Sequence, residues 1–286
     1  MDEVQAAGIR RDRLPVCHGG ALDPFAEGLV LLLAGQATRL MDLLHPVPKT
    51  YVAEIAWGAE TDNGDPLGRI VARADPSRLS PDALEQALTP FLGWRDQVPP
   101  ATSNKRVDGE RAYRKAHRGE SFELPPSRVY LHEARFISHR LPASSQLLLV
   151  TAGGYYVRSL VRDLGRATGA LAHLAALRRT AIGPWEDPPP GQRIWMRGAE
   201  LFPWCSSLSI SAPELSALRG GMGLPSRPLA PPEWSLPAGF PAPRAPVRGL
   251  LDGDLVALLR ERDGKLWPER VLGAPNPARR RAPRSR

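Results

Sequence analysis

Asp23-Pro24, set just behind the glycine pair Gly19-Gly20, offers a carboxylate at the start of a turn or helix. Backbone N–H groups at such a start would hold it ionised, the state a carboxylate nucleophile needs. An Asp-Pro pair is ordinarily only a cap, so the dipeptide alone carries little. His18 beside Cys17 could suggest metal ligation, but no second Cys or His stands at ligand spacing, and no metal or other cofactor is expected. From 103 to 128 the chain carries Lys105, Arg106, Arg111, Arg114, Lys115, Arg118 and Arg128, with Tyr113 interleaved. Such a stretch can clamp phosphates and order on nucleic acid, or be no more than a solvated charged helix.

The longer string around Asp23 says more. His18-Gly-Gly-Ala-Leu-Asp-Pro-Phe-Ala-Glu-Gly28, closing in Gly35-Gln-Ala-Thr-Arg39, resembles the active-site motif of the TruB family of tRNA pseudouridine-55 synthases. That motif runs Gly-His-x-Gly-x-Leu-Asp-Pro-x-Ala-x-Gly and ends in Gly-x-Ala-Thr-Lys/Arg. Lys49-Thr-Tyr51 is similar to the family's Lys-x-Tyr, and Gly58-Ala-Glu-Thr-Asp-Asn-Gly-Asp-Pro-Leu-Gly68 to its Gly-x-x-Thr-Asp-Thr-x-Asp-x-x-Gly. Gly154-Tyr-Tyr-Val-Arg-Ser-Leu-Val-Arg-Asp-Leu-Gly165 is similar to Gly-x-Tyr-Ile-Arg-x-x-x-x-Asp-Leu-Gly, and is followed by His173 and Leu177-Arg178-Arg179. Ser103-Asn-Lys105 to Gly109 and Tyr113 to Gly119 echo the family's Ser-Ala-Leu-Lys-x-x-Gly and Tyr-x-x-Ala-Arg-x-Gly loop. The likeness covers about 9–186; the C-terminal region matches only loosely.

The resemblance implies a function and a role for each matching residue. Pseudouridylation cuts the N1–C1′ bond, rotates the base and rejoins it through C5, so one carboxylate nucleophile can divide a hard step into two easier ones without redox or metal chemistry. Asp23 would be that nucleophile, whether toward the ribose or the base, and Arg158 its salt-bridge partner in a dry pocket. The target uridine must leave a folded RNA. Tyr51 would stack on it and assist proton removal, Tyr156 and Leu177 would line its pocket, and His18 would fill the space it vacates. On their own, Tyr51, Tyr156 and Leu177 read as core residues and Arg158 as a surface arginine of an amphipathic helix. Lys105, Arg111, Arg114, Arg178 and Arg179 are expected to contact the RNA backbone. The substrate implied is the T-stem loop of tRNA, with no obligate protein partner, no membrane and a monomeric enzyme.

These residues need elements to hold them. Tyr51 to Trp57 alternates with period two and reads as a half-buried strand. Ser80-Pro81-Asp82 is a helix start before an apolar stripe from Ala83 to Leu92. Val129 to Phe136 and Gln146 to Thr151 read as strands, and Tyr156 to Thr168 as a helix that Gly165 or Gly169 could end, entered through a tight turn at Gly153-Gly154. Pro188-Pro-Pro190 is a stiff break, and 203–246 is Pro-rich with weak periodicity. Asp263-Gly264 between two β-like runs, Asp254 to Arg262 and Lys265 to Leu272, signals a hairpin. The expected architecture is α+β. The pseudouridine synthase fold implied by the resemblance, a mixed and mainly antiparallel sheet flanked by helices, would occupy 1–196, with an RNA-clamping loop at about 99–128. A small all-β, PUA-like RNA-binding module would follow at 197–275, then a basic disordered tail at 276–286.

The bulk composition agrees. Lys plus Arg number 38 against 30 Asp plus Glu, a net charge of +8 that favours a polyanionic partner through counterion release. Two cysteines make no disulfide framework, no apolar run is long enough to span a bilayer, and Met1 leads straight into Asp2-Glu3, so a cytoplasmic chain is expected. Some features depart from the family. Only Met1 to Cys17 precede His18, with no Lys-Pro-x-Gly-x-Thr/Ser-Ser motif, and residues 2–13 resemble the end of the helix that follows it. A chain short of that strand would carry an open sheet edge or cavity beneath its active-site loop. Gly153 stands where the family has a lysine, and Ser103-Asn-Lys105 lacks its leucine. Two rivals stay open: a non-enzymatic tRNA chaperone, and a guide-RNA-dependent synthase that works only with partner proteins.

Overall fold

The structure, a computed structural model, describes residues 14–103, 105–107 and 109–273. The expected helix end at 2–13 and the basic tail at 276–286 lie outside the described residues.

One mixed sheet organises the N-terminal part. Its strands run in the order Trp185–Glu186, Ala172–Ile182, Lys49–Trp57, Ser144–Thr151, Ser127–Arg140, Gly93–Gln97, each antiparallel to the next. The short strand Glu27–Gly28 joins Ala172–Ile182 in parallel. The α+β arrangement with a mainly antiparallel sheet is the expected one. In the Lys49–Trp57 strand every second residue is buried, so Tyr51, Ala53 and Ile55 face a core shared with Leu147, Leu149, Leu174 and Leu177. The helix Val157–Ala167 lays Val157, Leu160, Val161 and Leu164 on that core. It ends at Thr168 with Gly169 left-handed beyond it; Gly165 lies inside, where a Cβ would stand 2.4 Å from the Ala172 nitrogen.

The Ser80-capped helix starts at Pro81 as expected but stops at Leu88, and Thr89–Phe91 tightens into a 3-10 turn. Pro90 explains the change, since it has no N–H to continue the α ladder.

The C-terminal part holds a second sheet, in the order Ser207–Ser209, Val247–Leu251, Asp254–Arg262, Lys265–Val271, Leu224–Pro225. The Asp263-Gly264 hairpin is present, with both residues at positive φ. The unit is β-rich but not all-β, for the helix Ala212–Arg219 packs Leu215 and Leu218 into its core. Ser211 and Glu214 close a reciprocal capping box at its start, and Pro213 lies in its first turn. Phe240 and Gly239, in the Pro-rich stretch, reach back over the main sheet: Phe240 meets Tyr130 edge-on, and the Tyr130 hydroxyl donates to Gly239 O at 3.1 Å.

The two parts share a core. Leu40, Leu44, Val47 and Ile182 from the first are buried with Phe202, Trp204, Leu255 and Leu258 from the second. Trp185 meets Trp204 at 5.5 Å between ring centroids, and Arg270 grips Asp42 with two 2.6 Å bonds.

Inside the C-terminal unit, Arg248 is fully buried and donates to Ala199 O, Leu201 O and both Glu233 oxygens. Arg248→Met should lower stability by about 2–4 kcal/mol, because it leaves buried carbonyls without donors, while the half-exposed Glu233 can rehydrate. Denaturant unfolding followed by tryptophan fluorescence measures the loss.

Candidate active site

Asp23 begins a tight turn, closed by Ala26 N–H donating to Asp23 O at 2.9 Å. It opens a turn and not a helix. Among the described residues its carboxylate is held not by backbone donors but by Arg158, whose Nε donates to Oδ2 at 3.0 Å and Nη2 to Oδ1 at 2.7 Å. Residues 135 apart in sequence therefore meet as a two-toothed ion pair. Arg158 is 4% exposed and sits in the first turn of the Val157–Ala167 helix; the Asp23 side chain keeps 30% of its surface. The arginine is closed in and the carboxylate is open on one side.

Every remaining donor of Arg158 is used. Nη1 donates to Thr102 Oγ1 at 2.6 Å and Asn63 O at 3.1 Å, and Nη2 also reaches Thr102 O at 3.3 Å. Asp65, itself 4% exposed, stands 3.6 Å from Nη1 on the far side. Its carboxylate accepts from Asn63 Nδ2 and from Leu67 N–H, and Thr61 Oγ1 donates to Asp65 O. Gly64 makes this loop possible: it has φ +76°, and the Arg158 Cβ lies 3.4 Å from where its own Cβ would be. The 58–68 motif is legible in the sequence, but no role for Asp65, Asn63 or Thr102 is. The Thr-Asp-x-x-Asp spacing was visible; its destination on Arg158 was not.

Burial pushes the Asp23 carboxyl above its ordinary value, Arg158 pulls it back by charge and hydrogen bond, and Asp65 adds to the rise. The ionised form is the nucleophile, so single-turnover chemistry should fall as pH drops through the Asp23 value. That acid limb should lie above the ordinary aspartate value of ~3.9. A pH–rate profile under single-turnover conditions reads it directly.

Around this pair lie two tyrosines. Tyr51 is 8% exposed; burial raises its hydroxyl above the ordinary value, Arg179 opposes the rise, and Asp23 adds to it. Tyr156 is half-buried and similarly raised, with burial the largest cause. Its backbone is pinned by Gln97, which accepts from Tyr156 N–H at 2.9 Å and donates to Tyr156 O at 3.0 Å. Leu177 is buried among Tyr51 and Val157 in the main core. His18 ends the strand Val16–His18 with its side chain exposed. Among the described residues no three His, Cys, Asp or Glu side chains come together as a metal cage.

The basic residues divide into three groups. Lys105, Arg111 and Arg114 are exposed on the loop that springs from Thr102-Ser103, next to Arg158. Arg178 is 38% exposed but already paired with Glu27 and Asp187. Arg179 is 1% exposed, which corrects its assignment to the RNA backbone: strand alternation turns Arg178 outward and Arg179 inward.

The chain matches the family described as TruB family pseudouridylate synthase (N terminal domain) over residues 11–157. It is 37% identical over 279 residues to tRNA pseudouridine synthase B of Xanthomonas campestris pv. campestris, covering 91% of this chain and 86% of that one. It is 39% identical over 184 residues to tRNA pseudouridine synthase B of Bordetella pertussis, covering 64% and 75%. Among solved structures it resembles a Cbf5-Nop10-Gar1 complex at TM-score 0.58 and 19% identity, over 90% of this chain and 76% of that one. An H/ACA RNP bound to a substrate RNA containing 2′-deoxyuridine aligns at TM-score 0.60 and 18% identity, over 95% and 80%. At such identities the likeness is one of fold. Among the described residues no helix is long and apolar enough to cross a membrane.

Proposed function

The chain belongs to the TruB family of pseudouridylate synthases, and from that premise we infer how it works. It isomerises uridine to pseudouridine in tRNA, at position 55 of the T loop, with Asp23 as the covalent nucleophile. The observation that carries the assignment to Asp23 is the two-toothed Arg158 pair, which closes one side of the carboxylate and leaves the other open.

A uridine extruded from the T loop enters beside Asp23. Tyr51 lies under it to stack on the base and take part in proton removal from C5, while Tyr156 and Leu177 wall the pocket. Arg158 keeps Asp23 ionised until it bonds to the substrate, and it receives the carboxylate again when the bond is released. His18, exposed at the rim, fills the gap left in the T loop. Lys105, Arg111 and Arg114 contact the RNA backbone from the 99–128 loop, and the β-rich unit at 197–275 adds contacts farther along the tRNA. No metal or cofactor takes part. The enzyme works in the cytoplasm as a monomer without a guide RNA or protein partner.

The test is to incubate the purified chain alone with an unmodified tRNA transcript and map pseudouridine by base-specific chemical labelling. One modified site, in the T loop, is the expected outcome. Binding without modification would favour a tRNA chaperone, and modification only with added guide RNA would favour a guide-dependent synthase.

A further inference from the structure

Three arginines with deeply buried side chains, Arg158, Arg179 and Arg248, are not treated alike. Arg158 and Arg248 each face a carboxylate. Arg179, 1% exposed, has none within ion-pair distance among the described residues. A guanidinium taken out of water with no counter-ion is costly, so its bonds in this fold call for a physical account.

Its bonds show where it acts. Nε donates to Leu29 O at 2.7 Å and Nη2 to Gly20 O at 3.0 Å. Those two carbonyls stand at either end of the loop that carries Asp23. Leu29 N–H donates back to Arg179 O at 2.8 Å. Gly28 lies flat on the same peptide: at φ +103°, a Cβ there would stand 2.3 Å from Arg179 O. The nucleophile loop is thus tied to one residue at both ends.

The same residue faces the other side of the pocket. Arg179 and Tyr51 are directly opposite on neighbouring antiparallel strands, so their side chains project side by side from one face. The groups whose charge bears on the Tyr51 hydroxyl are Arg179 and Asp23, with opposite effects. Lys49, next on that face, has its amine brought down to about 7 by burial and by Arg179, and donates to the carbonyls of Leu44, His45 and Val47.

We propose that Arg179 is a positioning residue for the isomerisation, fastening both ends of the Asp23 loop and presenting an uncompensated positive charge to Tyr51 from the adjacent strand. The proposal rests on Asp23 and Tyr51 working as inferred above. A carboxylate partner would cancel that charge; without one, it is available to negative charge developing in the pocket during reaction.

Arg179→Gln and Arg179→Lys in the full chain test this on tRNA, with single-turnover rate, tRNA Kd, pH–rate profile and thermal melting as readouts. Arg179→Gln should react about a hundredfold more slowly, since small displacements of reacting groups cost that much. Its tRNA Kd should stay within about threefold of the parent, because the residue does not reach the RNA. Arg179→Lys keeps the charge but not both carbonyl bonds, and should recover about tenfold of that loss. The limb of the profile that reports Tyr51 should move up in pH in the Gln variant and stay in place in the Lys variant. A folded Gln variant reacting within about threefold of the parent rate overturns the proposal. So does a loss of rate matched by an equal loss of tRNA affinity in both variants, the pattern of a phosphate contact. If the Gln variant does not fold, the Lys variant decides: a parental rate overturns the proposal, and a rate about tenfold lower at unchanged Kd supports it. A parent chain that makes no pseudouridine on this tRNA defeats the catalytic reading first, a result visible before any Arg179 variant is measured.

Discussion

Asp23→Asn should abolish isomerisation, lowering the single-turnover rate by at least about four orders of magnitude while tRNA binds within about threefold of the parent affinity. The size of the effect follows from the role. An amide cannot form the covalent bond that divides the reaction in two. Among the described residues the carboxylate whose charge bears on Asp23 is Asp65, and it is buried behind Arg158 and committed to Asn63 and Leu67. The fold should tolerate the change. The substituted amide would keep one acceptor for Arg158, which retains its bonds to Thr102 and Asn63 and its ion pair with Asp65. Quantifying pseudouridine in single-turnover reactions, beside filter binding of the same tRNA, separates chemistry from affinity; pseudouridine formed at near-parental rate by the variant would remove Asp23 from the mechanism.

Arg158→Lys should produce the second-largest loss, about a hundredfold to a thousandfold in rate. A lysine brings the charge but not the planar fork. It cannot donate twice to Asp23 while also holding Thr102 and Asn63. The pH dependence gives this variant its signature. Arg158 opposes the burial that raises the Asp23 carboxyl, so weakening it lets the carboxyl rise further. The acid limb of the pH–rate profile should therefore move to higher pH, and part of the lost rate should return as pH increases. Asp23→Asn, in contrast, should stay inactive at every pH. Arg158→Met removes the cation from between two carboxylates and should cost about 3–5 kcal/mol of stability as well.

Much of this architecture could be read from the chain because local rules and burial agree there. The period-two run Tyr51 to Trp57, the Ser80 cap and the Asp263-Gly264 turn each specify their element within a few residues, and each element formed. Asp23 and Arg158 were recognisable because their surrounding strings are long. What escaped was whatever depends on contacts between distant segments. Asp65 and Thr102 look like ordinary loop residues until folding brings them to Arg158, and nothing near Thr102 in sequence announces that destination. Arg178-Arg179 looked like paired RNA contacts because both are charged. Placing them on a strand whose neighbour buries Tyr51 would have separated them, one outward and one inward. The Ala212–Arg219 helix was hidden by its Pro-rich surroundings, although Ser211-Ala-Pro-Glu214 is a capping signal that could have revealed it.

The apolar nucleus that joins the two halves limits how the polypeptide can be pared down. Leu40, Leu44, Val47 and Ile182 share their cover with side chains contributed after residue 200, so a gene shortened behind the Pro188 break would encode a sticky fragment, prone to aggregate. A protease nick within that exposed break should leave the pieces clasped together, because the burial they share does not depend on the peptide linking them.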